Sequence, residues 1–309
     1  MPDSLIVRLP NHLGDACMCL PALDRLARHG HALQLVGKGW ARSLFAAYDW
    51  PVVTVGEFWP TVASLRALAR SSPRRQGLLF TNSFSTALQF RLAGIRATGY
   101  ARDGRSPLLQ VAVQVPVQWR HGPMHMVAYY ETLAAHLLGA PAEPTPRISL
   151  RLSAAARDGA RAVLAAAGVA DSYVVLCPAA VGRHHGKVKA WHGFGRLADD
   201  LHARGVTLVA CPGPGETAAV RAAVPGVTVL PEVGVDVFAA LLEASRCVVA
   251  NDSGAGHMAA AFNAPLVSVF GVTEPNKTRP WGPRARLVGS ERGWPRYDEV
   301  LATVVAELG

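Results

Sequence analysis

The chain has 309 residues, half of them hydrophobic, which provides for two domains of ordinary size and excludes wholesale disorder. No apolar run approaches the roughly 20 residues that span a bilayer, and Met1-Pro2-Asp3-Ser4 lacks the basic start and apolar core of a secretory leader, so a cytoplasmic protein is expected. The formal net charge of +9 rests on arginine, with Lys38, Lys187, Lys189 and Lys277 the only lysines, and it favours phosphate-bearing partners; without interleaved aromatics to stack bases, nucleic acid is not among them.

Strand-like and helix-like segments alternate from the start. Leu5-Ile6-Val7-Arg8-Leu9 reads as a buried strand, followed by a turn and an amphipathic stretch from 16 to 28. Segments 31–36, 52–55 and 77–81 repeat the strand signal with helical patterns between them, and 124–139 is helical again. Gly139-Ala140-Pro141-Ala142-Glu143-Pro144-Thr145-Pro146 cannot continue a helix and reads as a linker.

Beyond it, Ser153 caps an alanine-rich helix to about 167, and strand signals return at 173–177, 206–211, 227–230, 246–250 and 266–270. A helical pattern from 297 to 308 closes the sequence. Alternation of this kind specifies parallel sheets covered by helices. The expected fold class is therefore α/β, with two Rossmann-like domains facing a cleft, 1–150 and 151–309. The five cysteines read as small buried hydrophobes, three of them within strands. Cys17 and Cys19 lack a second pair at zinc spacing, so no metal is expected.

Four turns after apparent strands hold polar residues that a core would not select. In Pro10-Asn11-His12-Leu13-Gly14-Asp15, Asp15 stands near a helix start as an N-cap or as a general base. The long basic loop from Pro178 to Trp191 carries adjacent His184 and His185, better suited to solvent or phosphate than to a metal, and Lys187 or Lys189 is available to neutralise a phosphate. In Cys211-Pro212-Gly213-Pro214-Gly215-Glu216-Thr217, Glu216 opens a helix, to bond ribose hydroxyls or to complement the helix dipole.

The fourth turn is the most informative. Asn251-Asp252-Ser253-Gly254-Ala255-Gly256-His257 lies between a buried strand and an alanine-rich helix, so its backbone N–H groups and the helix dipole together favour an anion. Gly271-Val272-Thr273 follows the next strand. Asp252, Ser253 and His257 are too close in sequence to align as a hydrolase relay. Neither a P-loop nor a complete G-x-G-x-x-G is present.

These residues carry a resemblance. Asn251-Asp252-Ser253-Gly254 through His257-Met258-Ala259-Ala260-Ala261, with Pro265 and Phe270-Gly271-Val272-Thr273, resembles the C-terminal signature of the ADP-heptose:lipopolysaccharide heptosyltransferases, a GT-B family (glycosyltransferase family 9). Arg8 through Leu13-Gly14-Asp15 and Leu20-Pro21-Ala22-Leu23 is similar to their N-terminal signature. Thr81-Asn82-Ser83-Phe84-Ser85-Thr86-Ala87-Leu88, Ala93-Gly94-Ile95, Thr98-Gly99-Tyr100, Arg102-Asp103-Gly104-Arg105 and His125-Met126-Val127 with Tyr129-Tyr130 look like the heptosyltransferase II branch.

The resemblance implies an inverting transfer of heptose from ADP-heptose to the inner core of lipopolysaccharide, with no cofactor and no metal. Asp15 would be the base. Lys189 would hold the ADP phosphates and Glu216 the ribose, while Asp252, Ser253, Gly254, His257 and Thr273 would form the donor turn. Asn82, Ser83, Arg102 and Arg105 would face the lipid A–core acceptor. The arginines of the first half (Arg66, Arg70, Arg74, Arg75, Arg91, Arg96, Arg102 and Arg105) would meet phosphates on that acceptor and on the anionic inner membrane. His192 replaces the family's usual proline after the tryptophan, and Val272 replaces a common proline before Thr273, leaving open whether Lys187 or Lys189 meets phosphate. The alternatives are a nucleotide-sugar epimerase of the same fold and a non-catalytic nucleotide-sugar-binding protein.

Overall fold

The computed structural model describes residues 3–170, 172–179, 183, 184 and 186–309, with Arg183 and His184 described by backbone alone. His185, and the side chain of His184, lie outside the described residues. The chain divides into two compact units, Met1–Thr145 and Pro146–Gly309, within the proline-rich segment.

The first unit is built on strands β1 (Asp3–Arg8), β2 (His31–Gly37), β3 (Val52–Thr54), β4 (Gln76–Leu79), β5 (Arg96–Tyr100) and β6 (Val111–Val113). They form one parallel sheet in the order β3-β2-β1-β4-β5-β6. The helices are α1 (Leu13–Met18), α2 (Leu20–Arg28), α3 (Ala41–Leu44), α4 (Phe58–Arg70), α5 (Phe84–Leu92), α6 (Val117–His121) and α7 (Met126–Leu138). Helices α4 and α5 cover one face, where Leu65, Ala69, Ala87 and Phe90 pack on Ile6, Val36 and Leu79. Gly139 ends α7 in the left-handed region (φ 65°), where a residue without Cβ closes the helix at little cost.

Three features differ from the sequence expectation. The helix expected over 16–28 begins at Leu13 and breaks at Cys19 into α1 and α2. The N-cap of α1 is His12, so Asp15 is not a cap but a first-turn residue inside the helix. Strands β5 and β6, which carry no long apolar run, complete the sheet edge.

The second unit repeats the plan. Its main strands are β7 (Val174–Cys177), β10 (Leu208–Ala210), β11 (Thr228–Val229), β12 (Cys247–Asn251), β13 (Leu266–Phe270) and β14 (Ala285–Gly289), with a small hairpin of β8 (Arg183–His184) and β9 (Lys187–Val188) between the first two. The parallel sheet runs β11-β10-β7-β12-β13-β14. Its helices are α8 (Ala154–Ala166), α9 (Phe194–His202), α10 (Thr217–Ala223), α11 (Val235–Ala244), α12 (Gly254–Ala261), α13 (Pro275–Thr278) and α14 (Tyr297–Leu308). The Ser153 hydroxyl accepts the Ala156 N–H at 3.2 Å and caps α8 as expected.

Both sheets therefore have the doubly wound order, third-second-first-fourth-fifth-sixth strand, with a switch point between first and fourth. Ligands of open α/β sheets bind beyond the carboxyl ends of the strands at that point. In the first unit the residues there follow β1 and β4; in the second they follow β7 and β12.

Candidate active site

In the first unit, Asp15 and Asn82 flank the switch point. Buried Arg8, the last residue of β1, braces the turn before α1: its guanidinium donates to Asn11 Oδ1 at 2.6 Å, to Val36 O at 3.4 Å and to Leu9 O. Burial lowers the Arg8 pKa to about 10, still far above neutrality. Asp15 is half-buried beside α7. Burial, reinforced by the Asp15 charge, pushes the Cys17 thiol up to about 12 and the Tyr130 phenol well above its ordinary value. The thiolate that a metal would need is disfavoured at Cys17.

Asn82 belongs to a polar cluster on the same edge. Its amide lies 3.3 Å from the Tyr129 hydroxyl, Arg102 hydrogen-bonds that hydroxyl, and the Tyr129 ring packs in tilted contact with Tyr100 (4.2 Å) and Trp119 (4.5 Å). Ser83 caps α5 by accepting the Thr86 N–H at 3.4 Å. Arg105 departs from the expected surface phosphate contact. It is 0% exposed and donates to Tyr100 O at 3.0 Å, to Asn82 Oδ1 at 3.3 Å and to Thr81 O. A buried arginine must find acceptors, and Arg105 finds them in the loop it supports.

The remaining first-half arginines lie on another edge of the sheet. Arg70 ends α4, Arg74 and Arg75 precede β4, Arg91 lies in the last turn of α5, and Arg96 starts β5. The Arg66 Nε donates to Leu92 O at 3.2 Å. All are exposed at the amino edge of the sheet, opposite the Asp15 turn. They lie away from the carboxyl edge that carries Asp15 and Asn82.

In the second unit, the turn between β12 and α12 gathers most of the donor residues the sequence singled out. Lys189 Nζ lies 2.7 Å from Asp252 Oδ2, which also accepts the Thr273 hydroxyl at 2.6 Å. Lys187 instead lies exposed on β9. The departure at His192 is exposed, and the backbone on its amino side is held by the Trp191 N–H donating to Asn251 Oδ1 at 2.9 Å. Asn251, a residue without a separate role in the sequence reading, also donates to Pro178 O at 2.7 Å.

Helix α12 starts at Gly254, so its first-turn N–H groups point outward without intrahelical partners. His257 is 4% exposed. Burial lowers its pKa to about 4; Asp252 opposes the shift and Lys189 adds to it, so the imidazole is neutral at pH 7. His257 Nδ1 and Ser253 Oγ are buried with no hydrogen-bond partner among the described residues. Orphaned polar atoms of this kind are the ones a polar ligand satisfies. Glu216 is the N-cap of α10 on the same edge, and its carboxylate accepts the Gly213 N–H at 2.9 Å. Among the described residues, no group of three His, Cys, Asp or Glu side chains could hold a metal ion.

Two doubly wound parallel sheets are the architecture of the GT-B class. Residues 67–300 match the model of glycosyltransferase family 9 (heptosyltransferase), and the chain belongs to that family. Lipopolysaccharide heptosyltransferase 3 of Escherichia coli is 35% identical over 130 residues, 37% of this chain and 36% of that relative. The match thus spans little more than a third of the curated relative. Among solved structures, the E. coli ADP-heptose lps heptosyltransferase II superposes with a TM-score of 0.77 at 24% identity, covering 99% of this chain and 98% of that one. The E. coli heptosyltransferase WaaC, solved with ADP, gives 0.77 at 20% identity, covering 98% and 99%.

Proposed function

We propose that the protein is an inverting glycosyltransferase that moves heptose from ADP-heptose to a heptose-bearing lipid A–core acceptor. The observation that carries the reading is the Lys189–Asp252–Thr273 cluster at the start of α12, with Ser253 Oγ and His257 Nδ1 left to a ligand. A departing pyrophosphate gains negative charge, and fixed N–H donors with a cation stabilise that charge without reorganising. Lys189 and the α12 turn would supply both, and Glu216 would take the ribose hydroxyls with its second carboxylate oxygen. Asp15, on the switch point of the first unit, is the base.

In that reaction the acceptor hydroxyl oxygen attacks the anomeric carbon, and its proton passes to the Asp15 carboxylate. The bond from the anomeric carbon to the β-phosphate oxygen breaks, its electron pair leaves with ADP, and the centre inverts. Asn82 and Arg102 would contact the acceptor, with Ser83 shaping and Arg105 bracing the loop that presents them. The type II assignment draws on the motifs over 81–105 and 125–130, although relatives of types 1, 2 and 3 all match parts of the chain. Mass spectrometry of the product tests both points. One added heptose is expected on a core that already carries heptose and none on a core without it. An epimer formed from donor alone would replace this reading with an isomerase.

No helix among the described residues is long and apolar enough to cross a membrane. A cytoplasmic protein that touches the inner membrane peripherally would use the exposed arginines of the amino edge, where Asp3 pairs with Arg74. Each basic residue near an anionic surface contributes about 1 kcal/mol. Reversing Arg70, Arg75 and Arg91 to Glu is therefore expected to lower binding to phosphatidylglycerol vesicles by more than about tenfold, measured by co-sedimentation. Equal binding by the variant would remove these arginines from any membrane contact.

A further inference from the structure

We propose that Asn251 is a positioning residue that holds Lys189 against the α12 turn. The inference rests on the reading of Lys189 as a phosphate ligand. Asn251 is the last residue of β12 and is 0% exposed. Its one amide uses both functions on the neighbouring segment: Nδ2 donates to Pro178 O at 2.7 Å, and Oδ1 accepts the Trp191 N–H at 2.9 Å. Pro178 directly follows β7 and Trp191 lies two residues after Lys189, so the side chain ties both ends of the segment that carries the lysine. Only a group that donates and accepts can do this. An aspartate would set a carboxylate oxygen against Pro178 O, and an aliphatic residue would leave both backbone groups unsatisfied.

The tie ends on a rigid anchor. The buried Trp191 ring packs edge-on against Phe194 at 5.4 Å and stacks with Tyr297 at 6.2 Å. Gly193 lies so close to the indole that a Cβ there would meet it at 2.2 Å. With the Trp191 backbone fixed, Lys189 has a short and defined reach, and it ends 2.7 Å from Asp252, the residue after Asn251. Two consecutive residues thus grip one segment, Asn251 by its backbone and Asp252 by its lysine. A held ammonium loses less side-chain freedom when it meets a phosphate than a free one would.

A role confined to packing would lower stability and leave ADP affinity insensitive to Lys189; a role through Lys189 is non-additive with it. ADP binding by calorimetry, with thermal unfolding in parallel, is measured for wild type, Asn251→Ser, Lys189→Met and the double variant. Asn251→Ser is expected to weaken ADP binding about tenfold in wild type and less than about twofold in Lys189→Met. Asn251→Thr, uncharged and of closer volume, is the second variant should the serine one fail to fold, and the same pattern is expected. Equal weakening in both backgrounds, or none in wild type, overturns the positioning role. An unchanged ADP affinity in Lys189→Met alone overturns the phosphate role of Lys189, and the positioning role falls with it.

Discussion

Asp15→Asn is expected to lower kcat by about 10²–10⁴-fold, the range spanned by general bases, while ADP affinity changes little. The amide is nearly isosteric with the carboxylate, so α1 and its packing on α7 persist, but an amide does not take a proton. The acceptor hydroxyl then attacks without a base, and water relieves only part of the loss. ADP affinity is the internal control, because the proposed nucleotide ligands Lys189, Glu216 and the α12 turn all belong to the second unit. Burial is the main reason that Tyr130 and Cys17 resist ionisation, and the Asp15 charge adds to it at both. Turnover near the wild-type rate would remove Asp15 as base.

The largest stability effect is expected at Arg25. Arg25 on α2 is 1% exposed and Glu131 on α7 is 3% exposed; the guanidinium lies 3.5 Å from the carboxylate and also donates to Pro141 O at 2.6 Å. Glu143, on the segment leaving α7, lies 3.6 Å away. Arg25→Met removes the cation and leaves Glu131 buried and unpaired, a change that costs about 3–5 kcal/mol. Burial already raises the Glu131 pKa, against the pull of Arg25, so without the arginine the carboxyl takes a proton instead.

This gives the variant a distinct pH dependence. A carboxyl with a raised pKa binds its proton in the folded state while the unfolded chain has released it, so stability falls as pH rises. Arg25→Met should therefore lose more stability at pH 8 than at pH 5, and Arg25→Met with Glu131→Gln should recover most of the loss at pH 8. Chemical denaturation at the two pH values reads both effects. A loss that is the same at both pH values would show that Arg25 acts through packing and Pro141 rather than through Glu131.

Much of this fold could be read from the sequence, because its central strands are buried on both faces and appear as continuous apolar runs such as Val174–Cys177 and Leu266–Phe270. β5 could not be read so easily. Its Arg96-Ala97-Thr98-Gly99-Tyr100 has no such run, and the exposed start and small residues of an outer strand weaken the signal. The break at Cys19 left no local mark either, since Leu20-Pro21 is equally compatible with a helix start or an uninterrupted first turn.

The proposed donor turn was visible because polar and glycine residues between a buried strand and an alanine-rich helix have few structural uses. Lys189 could be named beside it as a phosphate ligand, but its pairing with Asp252 could not. Lys189 meets Asp252 only because β7 and β12 are neighbours across the switch point, and that adjacency is a property of the sheet order. The same reason separates the arginines. Arg91, Arg102 and Arg105 are close in sequence, yet β5 between them leaves Arg91 at the amino edge, Arg102 at the carboxyl edge and Arg105 in the core. Charge clustering along a chain does not specify a patch until the direction of each element is known.

The central claim is transfer of heptose from ADP-heptose to a carbohydrate acceptor. The most direct measurement is ADP release from ADP-heptose by the purified protein, with and without a deacylated, heptose-bearing core acceptor. Release that requires the acceptor, and that Asp15→Asn slows by at least about a hundredfold, is the result expected. Donor turnover that is indifferent to acceptor, or no ADP release in its presence, would contradict it.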